Sequence, residues 1–327
     1  MNIKRNINPK EICDQIKKGN ITALSKAITL SESNIDSDQE LANKILAKLK
    51  TKNNDSLRIG ITGVPGAGKS TFIESFGNHI TNLGLKLAVL TIDPSSSVTK
   101  GSILGDKTRM ETLSANKNVF IRPSPASNFQ GGVGKNTRES IFLCESAGYD
   151  IILIETVGVG QNEISVAEMV DFFLLLKISG SGDELQGIKR GIIEMSDLIA
   201  INKCDGDNVK DSIKAKNEFK LALQLFPKKK SNWKPQVLTC SSLTGEGLAE
   251  IWECITNYVN LTKKNNYFYE NRINQNKSWL LQIIDYSLRK SFFNRKSIKI
   301  KLNNLIKKIE EQKISIFEAS RKILSEI

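Results

Sequence analysis

The sequence predicts an α/β fold, a mostly parallel sheet covered by helices on both faces, with helical extensions at both ends. Three observations predict it. Short apolar runs of strand length alternate with amphipathic runs of helix length between residues 57 and 258, as they do where parallel strands are joined by helical crossovers. One strand-to-helix junction, from Ile59-Gly60-Ile61-Thr62 to the amphipathic stretch Phe72–Ile80, is a glycine loop ending in Lys69-Ser70-Thr71, the context a phosphate-binding loop requires. Towards both ends of the chain, apolar residues recur at helical spacing instead. A chain of 327 residues can bury one sizeable α/β core with helical additions.

The elements follow in order. Ile12 and Ile16, then Leu41, Ile45, Leu46 and Leu49, mark helices over residues 1–55, interrupted at Gly19-Asn20 and by the polar stretch Ser31–Gln39. Thr51–Asp55 reads as a linker, so the expected domains are 1–55 (helical), 56–262 (nucleotide-binding) and 263–327 (helical). Gly63-Val64-Pro65-Gly66-Ala67-Gly68-Lys69-Ser70-Thr71 follows the first strand. Its glycines let successive N–H groups turn inward, and the following helix N-terminus adds positive potential, so the loop suits a polyphosphate. Lys69 can reach the β and γ oxygens as a point charge, and the Ser70 hydroxyl can ligate Mg²⁺. Strands at Leu87–Ile92 and Asp150–Ile154 deliver carboxylates, Asp93 and Glu155, and a third acid, Asp106, follows in Gly101–Met110. Acids at strand ends are often plain caps, but a Mg²⁺–triphosphate needs oxygen ligands, which gives these three a reason to converge. The catalytic candidates are therefore Lys69, Asp93, Asp106 and Glu155; the metal candidates are Ser70 and the same three acids. Either Asp93 or Glu155 would order the attacking water. The Gly158 N–H is placed to sense a γ-phosphate.

The base is chosen further along. Leu198–Ile201 reads as a buried strand and carries Asn202-Lys203-Cys204-Asp205 at its end. A carboxylate at Asp205 can accept from guanine N1–H and N2–H₂ together, whereas adenine N1 presents a lone pair and would be repelled; such discrimination is large where polar groups are desolvated. A last short strand, Val237–Cys240, leads into Ser241-Ser242-Leu243, whose backbone N–H groups can meet the base oxygen.

Together these strings make the chain resemble the MeaB/ArgK GTPases, chaperones of adenosylcobalamin-dependent acyl-CoA mutases. The resemblance rests on the Gly63–Thr71 loop, Ile92-Asp93-Pro94-Ser95-Ser96, Gly101–Met110, Ile121-Arg122-Pro123-Ser124-Pro125, Glu155–Gln161 and Gly182–Lys189. It implies a P-loop GTPase fold, GTP and GDP as ligands, Mg²⁺ as cofactor, a cytoplasmic homodimer joined by the C-terminal arm, and an acyl-CoA mutase as partner. It also implies that the loop Ser179–Gly191, with Asp183 and Lys189, couples nucleotide state to that partner. Ser97, Ala126–Gln130 and Asn162 depart from the family pattern. Two alternatives share parts of this pattern: a transport-linked kinase of a periplasmic amino-acid-binding protein, and a metal-insertion GTPase.

Composition narrows the choice. His79 is the single histidine, and the five cysteines (13, 144, 204, 240, 254) have no CxxC spacing. A His-based dyad or multi-His metal site is thereby excluded, and the Cys/His ligands of a metal-insertion GTPase are missing. No Asp-x-His-x-x-Gly pattern surrounds His79, so B12 is not expected to bind this chain directly. No run is long and apolar enough for a signal peptide or membrane span. The net charge is +12, and residues 261–327 carry 15 basic against 6 acidic side chains. Because Lys, Asn and Ile are abundant along the whole chain, that excess reads as a solvated helical face rather than a nucleic-acid or membrane surface.

Overall fold

A computed structural model describes residues 8–49, 55–93, 110–125, 132–156, 163–180 and 190–326. Asp106, Gly158, Asp183 and Lys189 lie outside the described residues. Two compact units divide at Ile273/Asn274.

The first unit opens with three helices, α1 (Pro9–Lys17), α2 (Ile21–Glu32) and α3 (Asp36–Lys48). The break at Gly19-Asn20 has a local cause. Gly19 takes φ +78°, and the Asn20 side chain caps α2 by accepting from the Ala23 N–H at 2.9 Å. Seven strands follow, separated by helices: β1 (Leu57–Gly63), α4 (Lys69–Asn82), β2 (Leu87–Asp93), the short α5 (Glu111–Ser114), β3 (Val119–Pro125), α6 (Gly132–Ser146), β4 (Ile151–Thr156), α7 (Glu163–Ala167), β5 (Phe172–Ile178), α8 (Arg190–Met195), β6 (Leu198–Asn202), α9 (Val209–Leu223), β7 (Gln236–Thr239) and α10 (Leu248–Lys264). The strands form one sheet in the order β3-β2-β4-β1-β5-β6-β7, with every pairing parallel. β1 lies between β4 and β5, so the chain winds first to one side and then to the other. In such sheets ligands bind beyond the carboxyl ends of the strands, at the point where the winding reverses.

Both faces of the sheet are buried, which is why β4 and β6 read as unbroken apolar runs rather than alternating ones. One face packs Ile59, Ile61, Leu174 and Leu176 against Phe72, Ile73 and Phe76 of α4 and Ile251 and Ile255 of α10. Phe72 and Phe76 stack at 5.2 Å; truncating either to alanine would cost about 3–5 kcal/mol, so α4 is held chiefly by this apolar face. The other face packs Leu90, Ile154, Phe173 and Ile201 into a core shared with α9 and with Ile12, Ile16, Leu24, Ile28 and Ile45 of the N-terminal helices. Glu32 at the end of α2 ties those helices to the edge strand, accepting from Arg122 Nη2 at 2.5 Å and Ser124 Oγ at 2.8 Å.

At the opposite end of the strands from the glycine loop, Asp171 and Glu145 organise a buried charge network. Arg58 meets Glu145 through two nitrogens, at 2.8 and 3.0 Å, and Ser56 Oγ donates to the same carboxylate at 2.7 Å. Arg272, in the first turns of α11 (Tyr267–Asn294), donates to both Asp171 oxygens at 2.8 and 2.6 Å and stacks 4.5 Å over Phe268. Arg–carboxylate forks of this kind are strong because their planar geometries match.

The second unit holds the rest of α11, α12 (Lys296–Glu310) and α13 (Ile316–Leu324). A small core of Ile298, Leu305, Ala319 and Ile323 joins α12 to α13, and Ser315 caps α13 by accepting from the Glu318 N–H at 3.1 Å. On α11, Leu280, Leu281, Ile284 and Leu288 are exposed. Among the described residues, no helix is long and apolar enough to cross a membrane.

Candidate nucleotide site

The loop after β1 sits at the carboxyl edge of the sheet. Gly63 has no alternative: a Cβ there would lie 2.3 Å from the Leu176 carbonyl oxygen of β5. Gly68 takes φ +85° and starts α4, and a Cβ on it would come within 2.8 Å of Asn202 Nδ2. Both glycines thus permit close approach of backbone to a neighbour. Lys69 is the first residue of α4. Its ammonium donates to the Gly63 carbonyl at 2.8 Å and the Val64 carbonyl at 3.3 Å. Burial pulls its pKa below the ordinary lysine value, and the nearby Glu155 and then Glu163 pull it back. The loop therefore carries a cation that is partly desolvated, beside two carboxylates. Ser70 and Thr71 occupy the next positions of α4.

Glu155 is buried in β4, paired in register with Ile61 of β1, and Thr156 Oγ1 donates to Thr62 Oγ1 at 2.9 Å between the same strands. β2 ends at Asp93, next to β4. Glu163, buried in the first turn of α7, belongs to no sequence motif, so the fold rather than a local pattern identifies it. Among the described residues, no three His, Cys, Asp or Glu side chains form a metal-holding group.

The turn after β6 is built around Asn202. Its Nδ2 donates to the Ala67 carbonyl at 2.9 Å, while its Oδ1 accepts from the Ser242 N–H at 3.0 Å and the Ser242 hydroxyl at 2.7 Å. One buried amide therefore fastens the β1 loop to the β7 loop. Lys203 follows with φ +59°. Asp205 is half-buried, and its carboxylate accepts from Ser241 Oγ. Ser241 Oγ in turn accepts from the Leu243 and Thr244 N–H groups at 3.3 and 3.1 Å. Ser75, on α4, adds a link that the sequence did not reveal: its hydroxyl donates to the Ser242 carbonyl at 2.5 Å. The structure thus brings Gly63–Lys69, Asn202, Asp205 and Ser241–Leu243 into one connected edge, with Glu155 beside Lys69. Arg138 lies buried on α6 and donates to the Glu168 carbonyl at 3.2 Å.

A parallel sheet with a lysine-tipped glycine loop after β1 and an Asn-Lys-x-Asp turn after β6 defines a P-loop GTPase. The profile of the family described as methylmalonyl-CoA mutase-associated GTPase MeaB matches residues 24–297, and the chain belongs to that family. It is similar to a GTPase ArgK of Escherichia coli, 46% identical over 266 residues that cover 81% of this chain and 80% of that one. It is also similar to a mitochondrial methylmalonic aciduria type A homolog of Mus musculus, 43% identical over 302 residues, covering 89% and 73%. A crystal structure described as an LAO/AO transport system kinase superposes with a TM-score of 0.75 at 34% identity, covering 98% of both chains.

Proposed function

We propose that this GTPase hydrolyses GTP with Mg²⁺ and uses the cycle to gate adenosylcobalamin loading onto an acyl-CoA mutase of the methylmalonyl-CoA type. The observation that carries the chemical half is Lys69: a partly desolvated ammonium held at the mouth of the loop, within the field of Glu155. Its bonds to the Gly63 and Val64 carbonyls are ones that phosphate oxygens, being charged, would outcompete. Water attacks the γ-phosphorus in line, and Lys69 with the loop N–H groups stabilises the charge that develops. Ser70 and Glu155, with Asp93 and Asp106, offer the hard oxygen donors that Mg²⁺ prefers. When bound, the ion would neutralise charge on the β and γ oxygens. Asp205 reads guanine, with its rotamer fixed by Ser241. Membership of a family described by its association with methylmalonyl-CoA mutase supports the partner.

The test is GTP turnover by the full chain, alone and with an adenosylcobalamin-dependent acyl-CoA mutase. Acceleration by the mutase supports the reading. Label transferred from γ-labelled GTP to a protein, rather than released as phosphate, would favour the kinase alternative.

Two expected outcomes follow from this reading. Asp183→Ala and Lys189→Ala should keep basal turnover within a few-fold yet lose mutase stimulation by roughly five- to a hundredfold, the scale of a typical allosteric coupling. The measurement is turnover of each variant with and without mutase; full stimulation in both would remove the loop from the coupling. Separately, the exposed apolar residues of α11 need cover, and we propose that a second copy supplies it. The Leu280→Glu/Ile284→Glu double variant should run as a monomer in light scattering while still binding GTP. A dimer that persists would place the interface elsewhere.

A further inference from the structure

Asn208 lies in the short 3₁₀ turn Gly206–Asn208 that joins the Asn-Lys-x-Asp segment to α9. Its side-chain amide is used at both ends. Nδ2 donates to the Lys203 carbonyl at 2.7 Å, and Oδ1 accepts from Ser179 Oγ at 2.7 Å. Its own N–H donates to the Asp205 carbonyl at 3.1 Å, closing the turn around the residue expected to read the base. Ser179 stands immediately beyond β5, ahead of residues 181–189, and its hydroxyl has a second oxygen within reach, Ser212 Oγ at 3.4 Å. Lys203, the residue Asn208 holds, keeps a left-handed backbone that a long side chain adopts only against strain.

We infer that Asn208 is a positioning residue for the guanine-recognition turn, and that the Ser179 hydroxyl makes the turn's grip on nucleotide depend on the position of the β5 end. The inference rests on the reading of Asp205 as the base acceptor. An amide suits this place, because Nδ2 can donate to the Lys203 carbonyl while Oδ1 accepts from the Ser179 hydroxyl. Asp at 208 could accept from Ser179 but would set a carboxylate against the Lys203 carbonyl. With the Ser179 hydroxyl donating to Asn208, Lys203 and Asp205 are held in the geometry that binds the base. When the end of β5 moves and the hydroxyl turns to Ser212, Oδ1 loses its donor, the turn loosens, and nucleotide leaves faster. Events at residues 181–189 could thereby reach the base without any contact to the phosphates.

The test is dissociation of a fluorescent GDP analogue from the full-length protein, with the melting temperature of the nucleotide-free protein measured beside it. Asn208→Asp should speed dissociation about five- to tenfold, the worth of one hydrogen bond in a partly desolvated turn. Ser179→Ala should speed it by about two- to fivefold, and Ser179→Thr, which keeps the hydroxyl, should restore the parent rate. The Ser179→Ala/Asn208→Ala pair should be no faster than Asn208→Ala alone, because the two groups act in series. A merely structural role would lower the melting temperature and leave the rate alone; that result overturns the inference, as does an unchanged rate in Ser179→Ala, which carries the test if the Asn208 variants fail to fold. An Asp205→Asn control separates the two readings: if it changes base preference while the Ser179 and Asn208 variants keep the parent rate, only the relay falls, and if it leaves base preference unchanged, the recognition reading falls first.

Discussion

Lys69→Ala should lower GTP turnover by about a hundred- to a thousandfold, the usual consequence of removing a charge aimed at the transition state, while the protein remains folded. The second half of that expectation comes from what holds α4. The helix is seated by Phe72, Ile73 and Phe76, each fully buried, and the hydrogen bonds of the Lys69 ammonium among the described residues go to two backbone carbonyls. Alanine is also the best helix former. What the substitution removes is positive charge at a place where burial already disfavours it and where Glu155 and Glu163 make it tolerable. Phosphate oxygens arriving there would meet the field of those two carboxylates without the ammonium that offsets it. Lys69→Arg should not rescue turnover, because a planar fork cannot take the place of a compact ammonium inside the loop. Single-turnover hydrolysis and thermal melting on the same samples decide it; undiminished hydrolysis by a folded Lys69→Ala protein would remove the lysine from the chemistry.

The parts of this fold that were legible in the sequence are those whose causes are local. The β1–loop–α4 unit is contiguous, its glycines are demanded by its own geometry, and its periodicity changes from strand to helix within a few residues. The α1–α2 boundary was legible for the same reason, through Gly19 and the capping Asn20. What stayed hidden depends on partners far along the chain. The order of the sheet follows from how distant strands pack, and nothing in β1 names β4 and β5 as its neighbours. The N-terminal helices declared themselves as helices, but their docking rests on pairs such as Arg122–Glu32, 90 residues apart, and on a shared apolar core. Asn202 shows the same limit within the site. The motif points to the base, yet its amide is spent on the Ala67 carbonyl, 135 residues away, and on Ser242. Ser75, Glu163 and Asn208 belong to no local pattern, and the fold alone gives Ser75 and Asn208 their distant partners, Ser242 and Ser179.

Asp205→Asn should exchange the preferred base, from guanine to xanthine. On the reading proposed above, the parent carboxylate would accept two hydrogens from guanine, N1–H and one of N2–H₂. Hydrogen bonds to a charged acceptor contribute about 1.5–3 kcal/mol each, so losing the pair's charge and complementarity should weaken guanine nucleotides by roughly a hundredfold or more. The lower end is the better expectation, because Asp205 is only half-buried and solvent screens part of the interaction. Xanthine carries a carbonyl where guanine carries its amine, so an asparagine amide can donate to it where the carboxylate would repel it. The substitution should leave the turn intact. Ser241 Oγ, which donates to Asp205, can still donate to an amide oxygen, though more weakly for want of the charge, and the Leu243 and Thr244 N–H groups continue to hold that hydroxyl in place. Ligand-induced shifts in melting temperature report the preference directly, since a nucleotide that binds the native state stabilises it by mass action. GTP and GDP should raise the parent's melting temperature and ATP should not; in Asp205→Asn, xanthosine nucleotides should take over that role. Equal stabilisation of the parent by ATP and GTP, or an Asp205→Asn protein that still prefers guanine, would mean that the base is read by some group other than this carboxylate.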